Sequence, residues 1–226
     1  MARKITRKEL KQDEFVDAAV DFGKWLEENW PKVLRWVGVV AVVAVLIISW
    51  TAYSRHNREQ AELRLSAVLA TYDRLETEGF TDPAELETVL GDLEELAGAA
   101  GGNSSAVAHL YRGSGLYQLE RYEDAEQALQ KAISRADSSS TLYATATAVL
   151  ANVFEATGRG EEAIGLLDGL IADDDGQAPK DQTLLQIGMI HERAGRTDEA
   201  RVAWERVTDD YPNSVAAGEA RRLLTR

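Results

Sequence analysis

The sequence predicts an all-α fold in which a single N-terminal transmembrane helix precedes a solenoid of helical hairpins. Three observations support this prediction. The 226 residues include only four prolines and are rich in Ala, Leu, Glu and Arg, which lose little side-chain freedom on a helix. An uncharged stretch near the N-terminus is long enough to cross a bilayer, and three later segments repeat one spacing of small residues. We therefore expect almost no β-sheet.

The uncharged stretch reads WVGVVAVVAVLIISWTAYS, from Trp36 to Ser54. At about 1.5 Å of rise per residue, its length matches roughly 30 Å of hydrocarbon. Basic residues bound it, and aromatic rings stand where they favour the headgroup level: Lys32, Arg35, Arg55 and Arg58, with Trp30, Trp36, Trp50 and Tyr53. The pattern indicates a transmembrane helix.

A buried core helix and a cleaved signal peptide are the alternatives to a membrane anchor. A signal peptide would need an unusually long basic region before the apolar segment, and Trp50 would occupy the −3 site for cleavage after Ala52. An uncleaved signal-anchor fits better. The basic cluster from Arg3 to Lys11 favours an N-terminus in the cytoplasm.

These boundaries predict three regions: a short cytoplasmic tail over residues 1–35, a signal-anchor over 36–54 and an extracytoplasmic repeat domain over 55–226. Residues 1–35 hold eight Lys and Arg against seven Asp and Glu, which leaves 17 basic against 31 acidic residues beyond them. So acidic a domain argues against nucleic acid as a partner.

The tail itself reads as an amphipathic helix over Ile5–Trp30, which Pro31 should end or kink. Its apolar face is Phe15, Ala18, Ala19, Phe22, Trp25 and Leu26. Such a helix either docks on a cytoplasmic partner or lies as a spacer in the headgroups.

Three segments beyond residue 105 share a spacing in which a small residue precedes an alanine by twelve positions. The pairs are Gly113 with Ala125, Ala151 with Ala163, and Gly188 with Ala200. Two helices of a hairpin can approach closely where both side chains are small. This pattern resembles the tetratricopeptide repeat, a helix-turn-helix unit, although the repeats here recur every 38 and then 37 residues.

The turns of these repeats also fit that resemblance. Gly158-Arg159 and Gly195-Arg196 stand where the family has its turn, Thr197 is the expected N-cap that follows, and Glu120 replaces the glycine in the first repeat. Two earlier helices, from Arg58 and from the capping sequence Thr81-Asp82-Pro83, predict a degenerate first hairpin. We expect a flexible loop over Gly98–Ser105 and a solvating last helix over Asn213–Arg226.

No pattern of catalytic or metal-binding residues emerges. His56, His109 and His191 are scattered without carboxylates at metal-ligand spacing, and each is expected at the surface or in the groove. The acids Asp173–Asp175 are consecutive rather than alternate, unlike a calcium loop. The chain has no cysteine, and no nucleophile stands beside a base. We expect no enzyme activity, cofactor, metal or small-molecule substrate.

The first helix of each repeat is expected to line a peptide-binding groove. Its predicted residues are Leu110, Ser114, Tyr117, Gln118, Ala148, Asn152, Glu155, Gln182, Leu185, Met189, Glu192 and Arg193. A set with so few basic residues argues against capture of a C-terminal carboxylate. It suits broad, weak contact with unfolded or basic segments.

The tail also contains W-x-x-E-N, at Trp25, Glu28 and Asn29. Together with one signal-anchor and degenerate repeats, this layout resembles the bacterial family that includes the ancillary subunit of the Sec translocon. The resemblance implies a single-pass inner-membrane protein whose periplasmic domain associates with translocon components and periplasmic chaperones and assists unfolded exported proteins. It implies no catalytic residues. The alternative is a scaffold for another envelope complex, such as cell-wall or outer-membrane assembly.

Overall fold

The computed structural model describes the backbone of residues 7–225 and the side chains of residues 29–225 other than Val33, Val37 and Arg58. Within that part of the chain, all regular structure is α-helical, which confirms the all-α prediction. The helices are α1 (Arg7–Thr77), α2 (Pro83–Ala99), α3 (Gly102–Gln118), α4 (Tyr122–Arg135), α5 (Thr141–Ala156), α6 (Gly160–Ala172), α7 (Lys180–Arg193), α8 (Thr197–Asp210) and α9 (Val215–Leu224).

The chain divides into two compact units, Met1–His56 and Asn57–Arg226. In the first unit, Pro31 was expected either to end the helix or to kink it. It lies inside α1 and does not end the helix. A proline removes a single backbone donor, and the helix-compatible sequence on both sides maintains the remaining bonds. The predicted apolar face of the tail helix, from Phe15 to Leu26, belongs to side chains outside the described residues.

The described side chains in the apolar part of α1 are almost all exposed. Trp36 is 71% exposed and Trp50 is 74% exposed. Of the described helices, this one alone is long and apolar enough to cross a membrane, judged by length and composition, with a mean hydropathy of 2.3 over its most apolar 18 residues. None of that window is buried.

The second unit is an array of helical hairpins. The C-terminal part of α1 and α2 form the first hairpin, in which Arg74 pairs with Glu85. The helices α3–α4, α5–α6 and α7–α8 form the next three hairpins, and α9 packs on the last. We call the first helix of each hairpin its A helix and the second its B helix. Successive hairpins are in contact, as α2 touches α3, α4 touches α5 and α6 touches α7. This is the solenoid that the repeats predicted.

Close helix approach explains the small residues of the repeat pattern. A Cβ atom added to Gly113 would lie 2.6 Å from the Cγ atom of Leu129, and one added to Gly188 would lie 2.5 Å from the Cδ1 atom of Trp204. The paired alanines are all fully buried: Ala125, Ala163 and Ala200. The twelve-residue spacing thus marks where each A helix crosses its B helix.

Each A helix ends in the same pair of backbone hydrogen bonds. In the second hairpin, Glu120 N–H donates to Tyr117 O and Arg121 N–H donates to Leu116 O, and the other three hairpins repeat this arrangement. The residue at the turn is left-handed, with φ of 58° at Glu120, 79° at Gly158 and 74° at Gly195. Glu120 therefore occupies the glycine position, as predicted, at some cost in backbone strain.

The same motif corrects the expected cap at Thr197. α8 begins at Thr197 itself, and Arg196 is the N-cap residue without a side-chain cap bond. The backbone hydrogen bonds of the turn allow α8 to begin at Thr197, whereas a threonine N-cap at this position would make Asp198 the first helical residue. By contrast, Asp82 caps α2 as predicted, because its side chain accepts from the backbone N–H groups of Ala84 and Glu85.

The expected flexible loop over Gly98–Ser105 is wrong. α2 continues to Ala99 and α3 begins at Gly102, so only two residues lie outside the helices. Ser105 is buried, and its hydroxyl donates to the Ala97 carbonyl at 2.6 Å. This bond and the apolar packing of both helices outweigh the low helix propensity of the glycines.

A row of ion pairs joins successive hairpins where their B helices begin. Arg121, Arg159 and Arg196 are the N-cap residues of α4, α6 and α8. Each pairs with a glutamate of the preceding B helix, and the three pairs are Arg121–Glu87 at 3.1 Å, Arg159–Glu126 at 2.5 Å and Arg196–Glu161 at 2.5 Å. We call this row the inter-repeat ladder.

Candidate functional site

The candidate site lies on one face of the A helices α3, α5 and α7. We define the A-helix face by the predicted residues that share this side, together with one more that the structure adds: Ser114, Tyr117, Gln118, Ala148, Asn152, Glu155, Gln186, Met189 and Arg193. Most of these side chains are half-buried or exposed. The face is therefore open to a partner along three consecutive hairpins.

Polar side chains on this face pair from one hairpin to the next. The side-chain amide of Gln186 donates to Asn152 Oδ1 at 2.7 Å and to the Ala148 carbonyl at 3.2 Å. Arg193 forms an ion pair with Glu155, in which its Nη2 donates to Glu155 Oε2 at 2.5 Å. These bonds fix the α5 and α7 parts of the face relative to each other.

Tyr117 brings α3 into the same cluster. Burial raises the pKa of its hydroxyl, as do Tyr122 and Glu155, while Arg193 acts in the opposite direction. The rings of Tyr117 and Tyr122 lie 5.8 Å apart between centroids. An aromatic pair beside a paired carboxylate and guanidinium can hold an apolar side chain and hydrogen-bond the backbone next to it.

The predicted residues do not all reach this face to the same extent. Leu110 is only 8% exposed and belongs to the hydrophobic core, so its placement in the groove is corrected. Its position on α3 turns it toward the packed interior of the hairpins. Leu185 is half-buried against the C-terminal core, and Gln182 and Glu192 are exposed. Met189, 37% exposed, is the large apolar side chain that α7 presents to solvent.

Two residues of the cluster were absent from the sequence prediction. Gln186 lies 34 residues after Asn152, one consensus repeat length, and that spacing could have paired them. Tyr122 opens the B helix α4 and reaches Tyr117 across the turn. A prediction restricted to A helices could not include it.

The structure offers no metal site among the residues that it describes, since no group of three or more His, Cys, Asp or Glu side chains converges there. His109 is buried rather than at the surface, contrary to expectation, because α3 turns it into the interior. Asp173 Oδ1 accepts from the backbone N–H groups of Asp175 and Gly176, which closes the acidic loop on itself.

The family described as tetratricopeptide repeat-like domain matches residues 24–225. No curated protein matches the chain.

Solved structures resemble the fold. The crystal structure of MamA has a TM-score of 0.50 at 20% identity, and the match covers 70% of this chain and 81% of that one. The crystal structure of Podosopora anserina putative kinesin light chain nearly identical TPR-like repeats has a TM-score of 0.59 at 14% identity. That match covers 73% of this chain and 85% of the other. At such identities the likeness concerns the fold alone.

Proposed function

Because this chain belongs to the tetratricopeptide repeat-like domain family, we propose that it is a protein-interaction module that binds segments of other proteins on its A-helix face. The observation that carries the proposal is the cluster of Tyr117, Glu155 and Arg193, which lies on three consecutive A helices and remains partly open to solvent. Hairpin arrays bind partners through such extended surfaces.

The character of the face favours weak and broad recognition. Its amides and charges are already paired with one another at Gln186–Asn152 and Arg193–Glu155. A partner therefore gains little from new ion pairs and depends on apolar contact with Tyr117, Tyr122 and Met189. Such contact suits unfolded segments, which expose apolar side chains in many sequences.

A membrane anchor is the second part of the proposal. The apolar helix of the first unit buries none of its most apolar window against the protein, and a lipid bilayer would cover such a surface. We assign residues 1–35 to the cytoplasm, 36–54 to the bilayer and 55–226 to the periplasm of a bacterial inner membrane. Extraction of membranes with alkaline carbonate tests the anchor: the full chain should stay in the pellet.

Within this frame, the module acts beside the Sec translocon and assists exported proteins together with periplasmic chaperones. The support is the resemblance of the layout and of the W-x-x-E-N tail to that family. Co-purification of the full chain in mild detergent tests it, and the expected result is co-elution of translocon subunits. Co-elution of cell-wall or outer-membrane assembly proteins without Sec subunits would favour the alternative scaffold role.

A further inference from the structure

A cleft between the B helices α6 and α8, with α7 as its floor, lies apart from the A-helix face. It encloses about 330 Å³. Ile164, Ile187 and Ala203 are buried side chains that form part of its lining, and Val202 on α8 is 55% exposed at its edge. The third and fourth hairpins thus leave apolar surface uncovered between them.

Comparison with the preceding hairpins explains why this cleft is open. The repeat spacing of 38 residues, which relates Ala125 to Ala163, also relates Glu126 to Ile164. In the earlier position Glu126 holds Arg159, whose guanidinium lies 4.0 Å over the ring of Phe154. Isoleucine cannot hold an arginine in this way, so Arg196 pairs with Glu161 instead and the apolar lining stays accessible.

The charges around the cleft are unbalanced. Asp168, Asp198 and Glu199 line it with a single guanidinium, that of Arg206. None of the four takes part in an ion pair with other residues that the structure describes. In the inter-repeat ladder, by contrast, each arginine forms an ion pair with a glutamate. The cleft therefore presents apolar surface bordered by three carboxylates that form no ion pair with other described residues, against one guanidinium.

We propose that the α6–α8 cleft binds a basic amphipathic helix of a partner protein. Apolar side chains at helical spacing enter the cleft beside Ile164 and Val202, and Lys or Arg on the flanks of that helix meet Asp168, Asp198 and Glu199. At 13 residues, α6 offers an edge roughly 20 Å long to the bound helix. The surface and its ligand differ from those of the A-helix face, so the two sites are tested separately.

The absence of cysteine allows a site-specific test on the full chain. The variant Val202→Cys, reconstituted in phosphatidylcholine nanodiscs, is labelled with a benzophenone maleimide and irradiated with a biotinylated peptide. The peptide is an amphipathic helix of about 18 residues, with Leu on one face and Lys on its flanks. The matched control is Val215→Cys, because Val215 is 92% exposed on α9, outside the cleft.

The proposal predicts that crosslinking from position 202 exceeds crosslinking from position 215 by about tenfold, and that it falls about tenfold when Asp168→Lys and Glu199→Lys are added. A peptide with Glu in place of Lys should not be captured, and Tyr117→Ala should leave the yield unchanged. Equal yields at both positions, equal capture of the acidic peptide, or a loss with Tyr117→Ala would overturn the proposal. Crosslinks mainly between two copies of the chain would also overturn it, in favour of self-association.

Discussion

The guanidinium of Arg159 donates to the carboxylate of Glu126 at 2.5 Å while it stacks 4.0 Å over the ring of Phe154. The two ionic partners are 33 residues apart in sequence and belong to consecutive hairpins. Glu126 raises the pKa of the Arg159 guanidinium, chiefly through this hydrogen bond. The ion pair joins two consecutive hairpins, and the ring of Phe154, which belongs to the same hairpin as Arg159, supports the guanidinium from one side.

This contact predicts energetic coupling between Arg159 and Glu126. The test is a double-mutant cycle with Arg159→Ala and Glu126→Ala. Each substitution should lower the thermal midpoint much less when the other is already present than when it is made alone. The matched cycle at Arg121 and Glu87, whose side chains are 44% and 50% exposed, should show weaker coupling. Full additivity at Arg159 and Glu126 in circular-dichroism melts would contradict the role given to this pair.

Gly188 is predicted to be intolerant of any side chain. A Cβ atom would collide with the indole of Trp204, so Gly188→Ala should destabilise the repeat domain by about 1–3 kcal/mol. Gly165→Ala is the matched control on an exposed helix position, and it should stabilise by about 0.5–1 kcal/mol. Urea unfolding of the two variants, followed by tryptophan fluorescence, measures the difference, and shifts of the same sign would refute this explanation.

The turns predict opposite effects for exchanges between glycine and other residues. Glu120 has a φ of 58°, so Glu120→Gly should stabilise the fold by about 1 kcal/mol. Gly158→Ala should destabilise it by about 1–2 kcal/mol through backbone strain alone, because nothing lies within 4 Å of the added atom. Thermal melts of both variants check the prediction. Stabilisation by Gly158→Ala would show that the turn is not held left-handed.

The repeat domain should lose stability on acidification because of His109. The pKa of its imidazole is lowered to about 4, chiefly by burial and in part by the charges of Arg135, Lys131 and Arg112, against the opposing effect of Glu94. The unfolded chain takes up this proton near pH 6.5, before the folded protein does, so stability falls as the pH drops from about 6.5 toward 4.

Replacement of His109 provides the check. In His109→Gln, the thermal midpoint should fall less between pH 6.5 and 5 than in the unmodified protein. Thermal melts at half-unit pH steps measure both slopes. Parallel slopes would mean that His109 is not the group responsible.

The sequence predicted the parts of the fold that depend on local spacing. Gly113 and Gly188, each twelve residues before a buried alanine, marked the helix crossings because close approach requires small side chains at a fixed interval. Glu120 was placed at a turn by its alignment with Gly158. The loop expected over Gly98–Ser105 failed because propensity alone cannot report the bond from Ser105 to Ala97.

The parts that sequence could not predict depend on how hairpins stack. Arg159 and Glu126 belong to consecutive repeats but lie 33 residues apart, so the repeat spacing of 38 or 37 residues does not relate them. Leu110 was placed in the groove although it is buried, since a shift of about one residue along a helix moves a side chain to another face.

The central claim, that the A-helix face holds other proteins, is tested most directly by photo-crosslinking in intact cells. A photoreactive amino acid at Met189 should capture exported or translocon proteins, whereas the same group at Val215, exposed on α9, should capture few. Addition of Tyr117→Ala should reduce capture from Met189. Equal capture from both positions, or none from Met189 in cells that contain the protein in their membranes, would contradict the account.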